Sequence, residues 1–445
     1  MNIEFKNIEI EDAQLDLLKE QLSLYLKSLK NIGDEKKDLN IVSLFSGCGG
    51  MDLGFEGGFK AHKKSISKET YNNFFEKNIN NNYIALKPTR FKTVFANDIL
   101  IDARNIWVHN FSKKNYKPEV FHKESIVNLV KLHEQGLNVF PEKVDVVTGG
   151  FPCQDFSVAG KRNGFNSHRK HDGKLINGDI STEETRGKLY YWMKRVIEIT
   201  KPKIFIAENV KGLVNLSDVK EIIQKDFASA NGNGYIVLDP QILHSANFGV
   251  PQSRERVIFI GIKKSELNPK ALKELSKKKI SKEYNPYPPI THSKDAFVSL
   301  KDIFNEIKEP LDSNDLSQQH YSKAKFMGKH CQGQSEINLD KIGPTIRAEH
   351  HGNIEFRRLS LENGGRYKVE LSSGKIERRL TVRECGLIQS FPPDFEFVIK
   401  SNEPRKKFLI SPSQAYKVIG NAVPPLMAYN LAKRIEYLWD TYFKK

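Results

Sequence analysis

The residue types best suited to chemistry fall in three short stretches. The first is Gly149-Gly150-Phe151-Pro152-Cys153-Gln154, where a cysteine follows a glycine pair and a proline. A cysteine thiolate is a strong nucleophile, and these neighbours would shape the turn that presents it. A small buried hydrophobe is the commoner fate of a lone cysteine, so this stretch leaves both readings open. The second is Glu208-Asn209-Val210, an acid closing an apolar run. A carboxylate there is costly to bury unless it has a partner or a proton to give. The third is Gln252-Ser253-Arg254-Glu255-Arg256. In an extended segment Gln252, Arg254 and Arg256 would share one face, which a solvated basic edge would also do.

The elements around these stretches predict how they are brought together. Val144 to Thr148 and Lys203 to Ala207 are short, apolar and rich in β-branched residues, as in parallel strands covered on both faces. They would deliver Cys153 and Glu208 to one carboxyl edge, where open α/β sheets bind ligands. Asn40 to Phe45 predicts another strand, running into Ser46-Gly47-Cys48-Gly49-Gly50. A strand, a glycine turn and a helix start let backbone N–H groups approach a nucleotide, although a merely structural tight turn has the same pattern. Thr93 to Ala96 ends in Asn97-Asp98, an acid suited to ribose hydroxyls. Between turn and acid, Ala61 to Lys92 reads as a lysine- and asparagine-rich surface insertion. Leu189, Trp192, Val196 and Ile199 form a helical stripe. Tyr235 to Leu243 predicts one further strand, and a helix should begin at Pro424-Pro425 and run to about Tyr442. Gln154 to Arg186 is polar and aperiodic, the pattern of a long functional loop.

The bulk properties suit this plan. A chain of 445 residues favours two domains over one. Lys and Arg number 70 against 54 acidic residues, a formal charge of +16 that suits a polyanionic partner. No apolar run approaches the roughly 18 to 20 residues that span a bilayer, and the acidic start Met1 to Lys19 is no secretory signal, so a cytoplasmic protein is expected. Its four cysteines form no CxxC pair, so neither a metal site nor a disulfide framework is expected. Residues 1 to 39 predict a helical leader, 40 to 264 with 411 to 445 a catalytic domain, and 265 to 410 a second domain with its hinge. Within the last, residues 265 to 376 read as irregular and β-rich, given Asn363-Gly364-Gly365 and Ser373-Gly374.

Taken together, these blocks resemble the C5-cytosine DNA methyltransferases of bacterial restriction-modification systems. Phe45 to Gly50 is similar to the family's first cofactor motif and Gly150 to Gln154 to its nucleophile loop. Glu208-Asn209-Val210, Gln252 to Arg256, Arg379-Leu380-Thr381-Val382-Arg383-Glu384 and Gly420-Asn421-Ala422-Val423-Pro424 follow in the family's order. The resemblance covers roughly residues 40 to 262 and 377 to 440. It implies an α/β fold with a Rossmann-like sheet and a smaller target-recognition domain, S-adenosylmethionine as cofactor, and duplex DNA as partner. A restriction endonuclease acting separately and a monomeric enzyme fit the same picture.

The resemblance also implies roles. Cys153 would add to cytosine C6, Glu208 would serve N3 and Arg256 O2, with Arg254 completing the catalytic set or, with Gln252, bracing the loop or the phosphates. The cofactor would lie over Phe45, Ser46, Gly47, Cys48, Gly49 and Gly50, with Asp98, Ile99, Pro152, Leu189, Asn421, Ala422 and Val423. The family usually has Glu and a bulky residue where Asp98-Ile99 stand, and its adenine-binding acid is replaced here, so that contact falls to Ser125 or Glu124. Gln154, Ser157, Lys161, Arg162 and Gln252 are the candidate DNA contacts. Competing readings are a tRNA cytosine methyltransferase on the same fold, a DNA-binding regulator with a retired pocket, and a nicotinamide dehydrogenase suggested by the glycine turn alone.

Overall fold

The computed structural model describes residues 10–30, 38–152, 189–215, 219–348 and 354–444. Its described strands build one central sheet from β1 (Leu39–Leu44), β2 (Phe91–Asn97), β3 (Phe121–His122), β4 (Val146–Gly150), β5 (Ile204–Val210), β6 (Tyr235–Val237), β7 (Gln241–His244) and β8 (Glu255–Lys263). The hydrogen-bonded order is β7-β8-β5-β4-β1-β2-β3, with β6 also on β8. Strands β1 to β5 pair in parallel, whereas β8 runs against β5, β6 and β7. The chain leaves β1 in one direction through β2 and β3, then returns to place β4 on the other side. That switch sets the loops after β1 and β4 side by side at the ligand-binding edge.

Apolar runs dictate this sheet because both faces are covered. Successive side chains alternate, so Ile41, Val146, Ile206 and Ile260 enter one core while Val42, Val147, Phe205 and Phe259 enter the other. Helices α1 (Asp12–Lys30), α4 (Ile126–Glu134), α5 (Leu189–Thr200) and α6 (Val219–Asn233) fill the second core with Leu22, Leu129, Met193 and Phe227. The first core takes α2 (Gly50–Glu56), α3 (Ile101–Phe111), α7 (Val382–Ile388), α8 (Pro412–Asn421) and α9 (Pro425–Phe443). It continues without a break into residues 265 to 410 through Leu300, Ile346 and Leu380. Among the described residues no helix is long and apolar enough to cross a membrane.

Several expectations change in detail. Within the leader, Asp12–Lys30 forms α1, and Tyr25 Oη bonds the Val94 carbonyl at 2.8 Å, fixing the helix to β2. β4 extends through both glycines, two residues beyond the apolar run, because β5 supplies Ala207 and Glu208 as partners. Tyr235 to Leu243 is two strands, interrupted at 238–240, where Pro240 supplies no N–H to a ladder. The insertion is a folded unit: Lys60–His62, Phe75–Asn78 and Tyr83–Leu86 make a small antiparallel sheet. Its Phe74 ring, with Phe59 just before it, packs edge-on against Tyr429 of α9. Residues 265–376 are not β-rich. Their only named strand among the described residues is Phe356–Arg358, beside short helices such as Pro269–Leu275 and Leu300–Phe304. Buried charge links this region to the residues that follow it: Arg378 takes Glu384 through two bonds of 2.9 Å and reaches back to Glu309 at 2.8 Å. Arg358 joins Glu309 at 2.6 Å and Glu370 at 2.8 Å.

Candidate active site

β4 and β5 run in register with Gly150 opposite Glu208, so the acid stands beside the last residues before the cysteine loop. A side chain at 150 would not fit easily, since its Cβ would lie 2.7 Å from Glu208 Oε2. On the other side of β5, Arg256 Nε meets Glu208 Oε1 at 2.8 Å, and Arg256 also bonds the Glu255 carbonyl at 2.8 Å. Burial pushes the Glu208 carboxyl above its ordinary range, while the charges of Arg256 and Arg254 hold it partly back. The result is a buried carboxyl, raised by its burial, beside a fixed guanidinium. Asn209, to which the sequence reading gave no role, bonds the Phe151 carbonyl at 3.1 Å and ties the turn to β5. Cys153, Gln154, Ser157, Lys161 and Arg162 lie outside the described residues, whose run ends at the half-buried Pro152 and resumes at the buried Leu189.

At the end of β1 the backbone turns sharply: Phe45, Gly47 and Gly49 have φ of 53°, 55° and 85°. Left-handed geometry is ordinary for glycine and strained for phenylalanine. The turn is held by the end of β2. Gly47 N donates to Asp98 Oδ2 at 3.0 Å and Leu100 N to Asp98 Oδ1 at 2.9 Å. Burial raises the Asp98 carboxyl, which these amides and Lys417 counter. Each oxygen keeps lone-pair capacity for a vicinal diol, and Ile99 beside it is exposed. Asn97 donates to the carbonyls of His122 and Glu124 at 2.9 and 2.8 Å, placing the Glu124-Ser125 corner beside the acid. Ser125 caps α4 through Val127 N at 3.3 Å. Across the turn, Gly50 admits the Val423 carbonyl and Ala422, whose approach a Cβ at 50 would block at 2.3 and 3.3 Å. Phe45, Ser46, Gly47, Asp98, Ile99 and the exposed Asn421 thus gather around one edge, and Cys48 is buried beneath it.

A family model described as C-5 cytosine-specific DNA methylase matches residues 39–437. The chain belongs to this family. It is similar to the Type II methyltransferase M.BsuRI of Bacillus subtilis, with 30% identity over 92% of this chain and 82% of that protein. It is also similar to M.BspRI of Lysinibacillus sphaericus, with 28% identity over 99% and 92% of the two chains. The solved structure of Entamoeba histolytica methyltransferase EhMeth shares the fold, with a TM-score of 0.53 and 18% identity over 91% of this chain and 99% of that one.

Within this DNA (cytosine-5-)-methyltransferase, two predicted site residues have other surroundings than expected. β8 begins at Glu255, so Gln252 and Arg254 precede the strand instead of alternating along it. Gln252 is 0% exposed. Its amide bonds the Ile388 carbonyl at 3.2 Å and the Gln389 side chain, and accepts from Ile346 N at 3.2 Å. A side chain so enclosed is not placed to meet a phosphate, which corrects its expected DNA contact. Arg254 bonds the carbonyls of Ile346 and Gly420 at 3.0 and 2.9 Å, the bracing alternative, and reaches the site through its field on Glu208. Gln389, missed by the sequence reading, bonds the carbonyls of Ile419 at 3.3 Å and Ala422 at 2.5 Å. Nothing local in the sequence marks it, because its partners lie about thirty residues away.

Proposed function

We propose that this enzyme methylates C5 of a cytosine flipped out of duplex DNA within one short sequence, through a covalent Cys153 adduct, as the modification half of a restriction-modification system. The observation that carries this reading is the buried Glu208–Arg256 pair, aligned through Gly150 with the end of β4. The Type II relatives of nearly full-length match support the biological setting.

Cytosine C5 is a poor nucleophile while the ring is aromatic. The Cys153 thiolate adds to C6, and the displaced electron pair passes into the ring. Glu208 delivers its proton to N3 as negative charge develops there, and Arg256 holds O2. C5 is then an enamine carbon. S-adenosylmethionine, when bound, supplies an electrophilic methyl group. Once C5 is substituted, a base removes its proton, the C5–C6 double bond re-forms and the Cys153 thiolate leaves. N3 returns its proton to Glu208. The target must leave the stack, at a cost of a few kcal/mol.

The residues at the turn fit the cofactor: Asp98 for the ribose, Ile99 and Phe45 for the ring, and Asn421 to Val423 for the methionine portion. Glu124 or Ser125 would serve the adenine. Pro152 and Leu189 would line the same space, with Arg254 keeping its supports in place. Ser157, Lys161, Arg162 and Gln154 are assigned to the DNA backbone, and residues 265 to 376 to base edges in the major groove. One flipped base needs one catalytic domain, so a monomer suffices, with any endonuclease acting separately in the cytoplasm. Labelled-methyl transfer with duplex DNA and tRNA in competition tests the substrate. Label in duplex DNA is expected, and label in tRNA alone would overturn the assignment.

A further inference from the structure

Beneath the glycine turn lies a buried carboxylate that the proposed chemistry does not use. Asp52 on α2 is 1% exposed, between Ser43 on β1, 2% exposed, and Trp107 on α3, 0% exposed. These side chains and the turn form one directed chain of hydrogen bonds. Asn97 N donates to Ser46 Oγ at 3.1 Å, and Ser46 Oγ donates to Ser43 Oγ at 2.9 Å. Ser43 Oγ donates to Asp52 Oδ1 at 2.5 Å, and Trp107 Nε1 donates to Asp52 Oδ2 at 2.8 Å from the other side. With Ser46 bonded to the Ser43 hydroxyl, every donor points toward Asp52, and an ionised Asp52 accepts at both oxygens.

Two consequences reach the turn. Ser43, donating its hydroxyl to Asp52, keeps its lone pairs for Ser46. Ser46 in turn faces Asn97, the neighbour of Asp98, and adjoins both Phe45 and Gly47, whose backbone is left-handed. Strained backbone of this kind persists only where its surroundings over-determine it. The Ser43 carbonyl lies 3.0 Å from the same Ser46 hydroxyl, so both acceptors open to the Ser46 proton belong to Ser43 and either one ties the turn to it.

From this geometry we infer that Asp52 is a positioning residue for the cofactor, setting the Phe45 to Gly47 backbone through Ser43 and Ser46. The inference rests on the reading of the turn as the S-adenosylmethionine site. Burial pushes the Asp52 carboxyl up to about 7, with the bonds from Ser43 and Trp107 opposing the rise and Glu56 adding to it. Its other titratable neighbours are Cys48 in the turn and Tyr116, whose hydroxyl bonds Glu56 at 2.7 Å, with Lys114 3.5 Å from Glu56 and Asp98 beyond Cys48. Burial pushes the Cys48 thiol and Tyr116 hydroxyl upward, away from neutrality. A proton on Asp52 turns one acceptor into a donor and breaks the direction of the chain.

The test measures the KM for S-adenosylmethionine, the KM for DNA and kcat from about pH 6 to pH 8. Wild type, Asp52→Asn and Ser43→Ala are compared, with calorimetric titration of S-adenosylhomocysteine on each. In the wild type the cofactor KM should fall as pH rises through about 7. Asp52→Asn should raise it about tenfold at high pH and flatten that dependence, with kcat at saturating cofactor and the DNA KM unchanged. Ser43→Ala, which spares the Asp52–Trp107 bond, should move the cofactor KM in the same direction. Variants that lose thermal stability yet keep the wild-type cofactor KM, or a wild-type cofactor KM flat across this range, would overturn the inference. A wild-type protein that binds no S-adenosylmethionine would overturn the reading of the turn itself, without reference to any variant.

Discussion

At the scale of single residues, the proposed chemistry turns on Glu208. An isolated buried carboxylate would be held neutral, and one fully paired with arginine would be held ionised. Glu208 lies between these limits: burial dominates, yet Arg256 stands 2.8 Å away and Arg254 adds its field. A group so balanced suits the proposed exchange of a proton with N3. Glu208→Gln keeps the shape and a donor but cannot surrender a proton. Single-turnover methyl transfer should slow by about a hundredfold or more, with DNA affinity retained. An unchanged rate would remove Glu208 from the mechanism. This residue was legible in the sequence because an acid that closes an apolar run is too costly to bury without a partner or a proton to give. Gln252 was not, because the alternation argument needed a strand from 252 and the strand starts three residues later. Its partners at Ile346, Ile388 and Gln389 are separated from it by 94 or more positions.

At the scale of elements, the parallel strands do more than carry side chains to an edge. The register of β4 on β5 sets Gly150 against Glu208, and the absence of a Cβ leaves room for the carboxylate. In Gly150→Ala the new methyl would meet the far end of a side chain, not backbone. The fold should therefore survive with nearly unchanged thermal stability, while the displaced carboxylate lowers kcat by ten- to a hundredfold, on the order expected for a misplaced catalytic group. A melting temperature that falls with kcat intact would contradict that reading. Most strand runs and the helix of the leader were readable from their apolar patterns, and the glycine turn from its residue types. The insertion was not: its many lysines and asparagines concealed the buried Phe74, Ile84 and Leu86, of which Phe74 packs on Tyr429 of a helix more than 330 residues further along.

At the scale of the whole molecule, the cores on the two faces of the sheet share the labour. One is closed by α1, α4, α5 and α6, and the other joins the sheet to residues 265–410 and the carboxyl-terminal helix. Buried Arg–Glu pairs hold the latter region where strands were expected, an ordering that composition could not reveal because the same residues read as surface charge. The excess of 16 positive charges belongs to this scale too, since long-range attraction to phosphates sums over the molecule. The proposed chemistry spans all three scales: one cysteine, three residues beyond the last residue of a strand in the sequence, would modify cytosine in a sequence chosen by the assembled protein. Bisulfite sequencing of host DNA from cells expressing the intact chain, beside cells expressing Cys153→Ser, tests it most directly. Protected cytosines confined to one short motif, present with the intact chain and absent with the variant, are the predicted result. Equal protection by Cys153→Ser, or none by the intact chain, would contradict it.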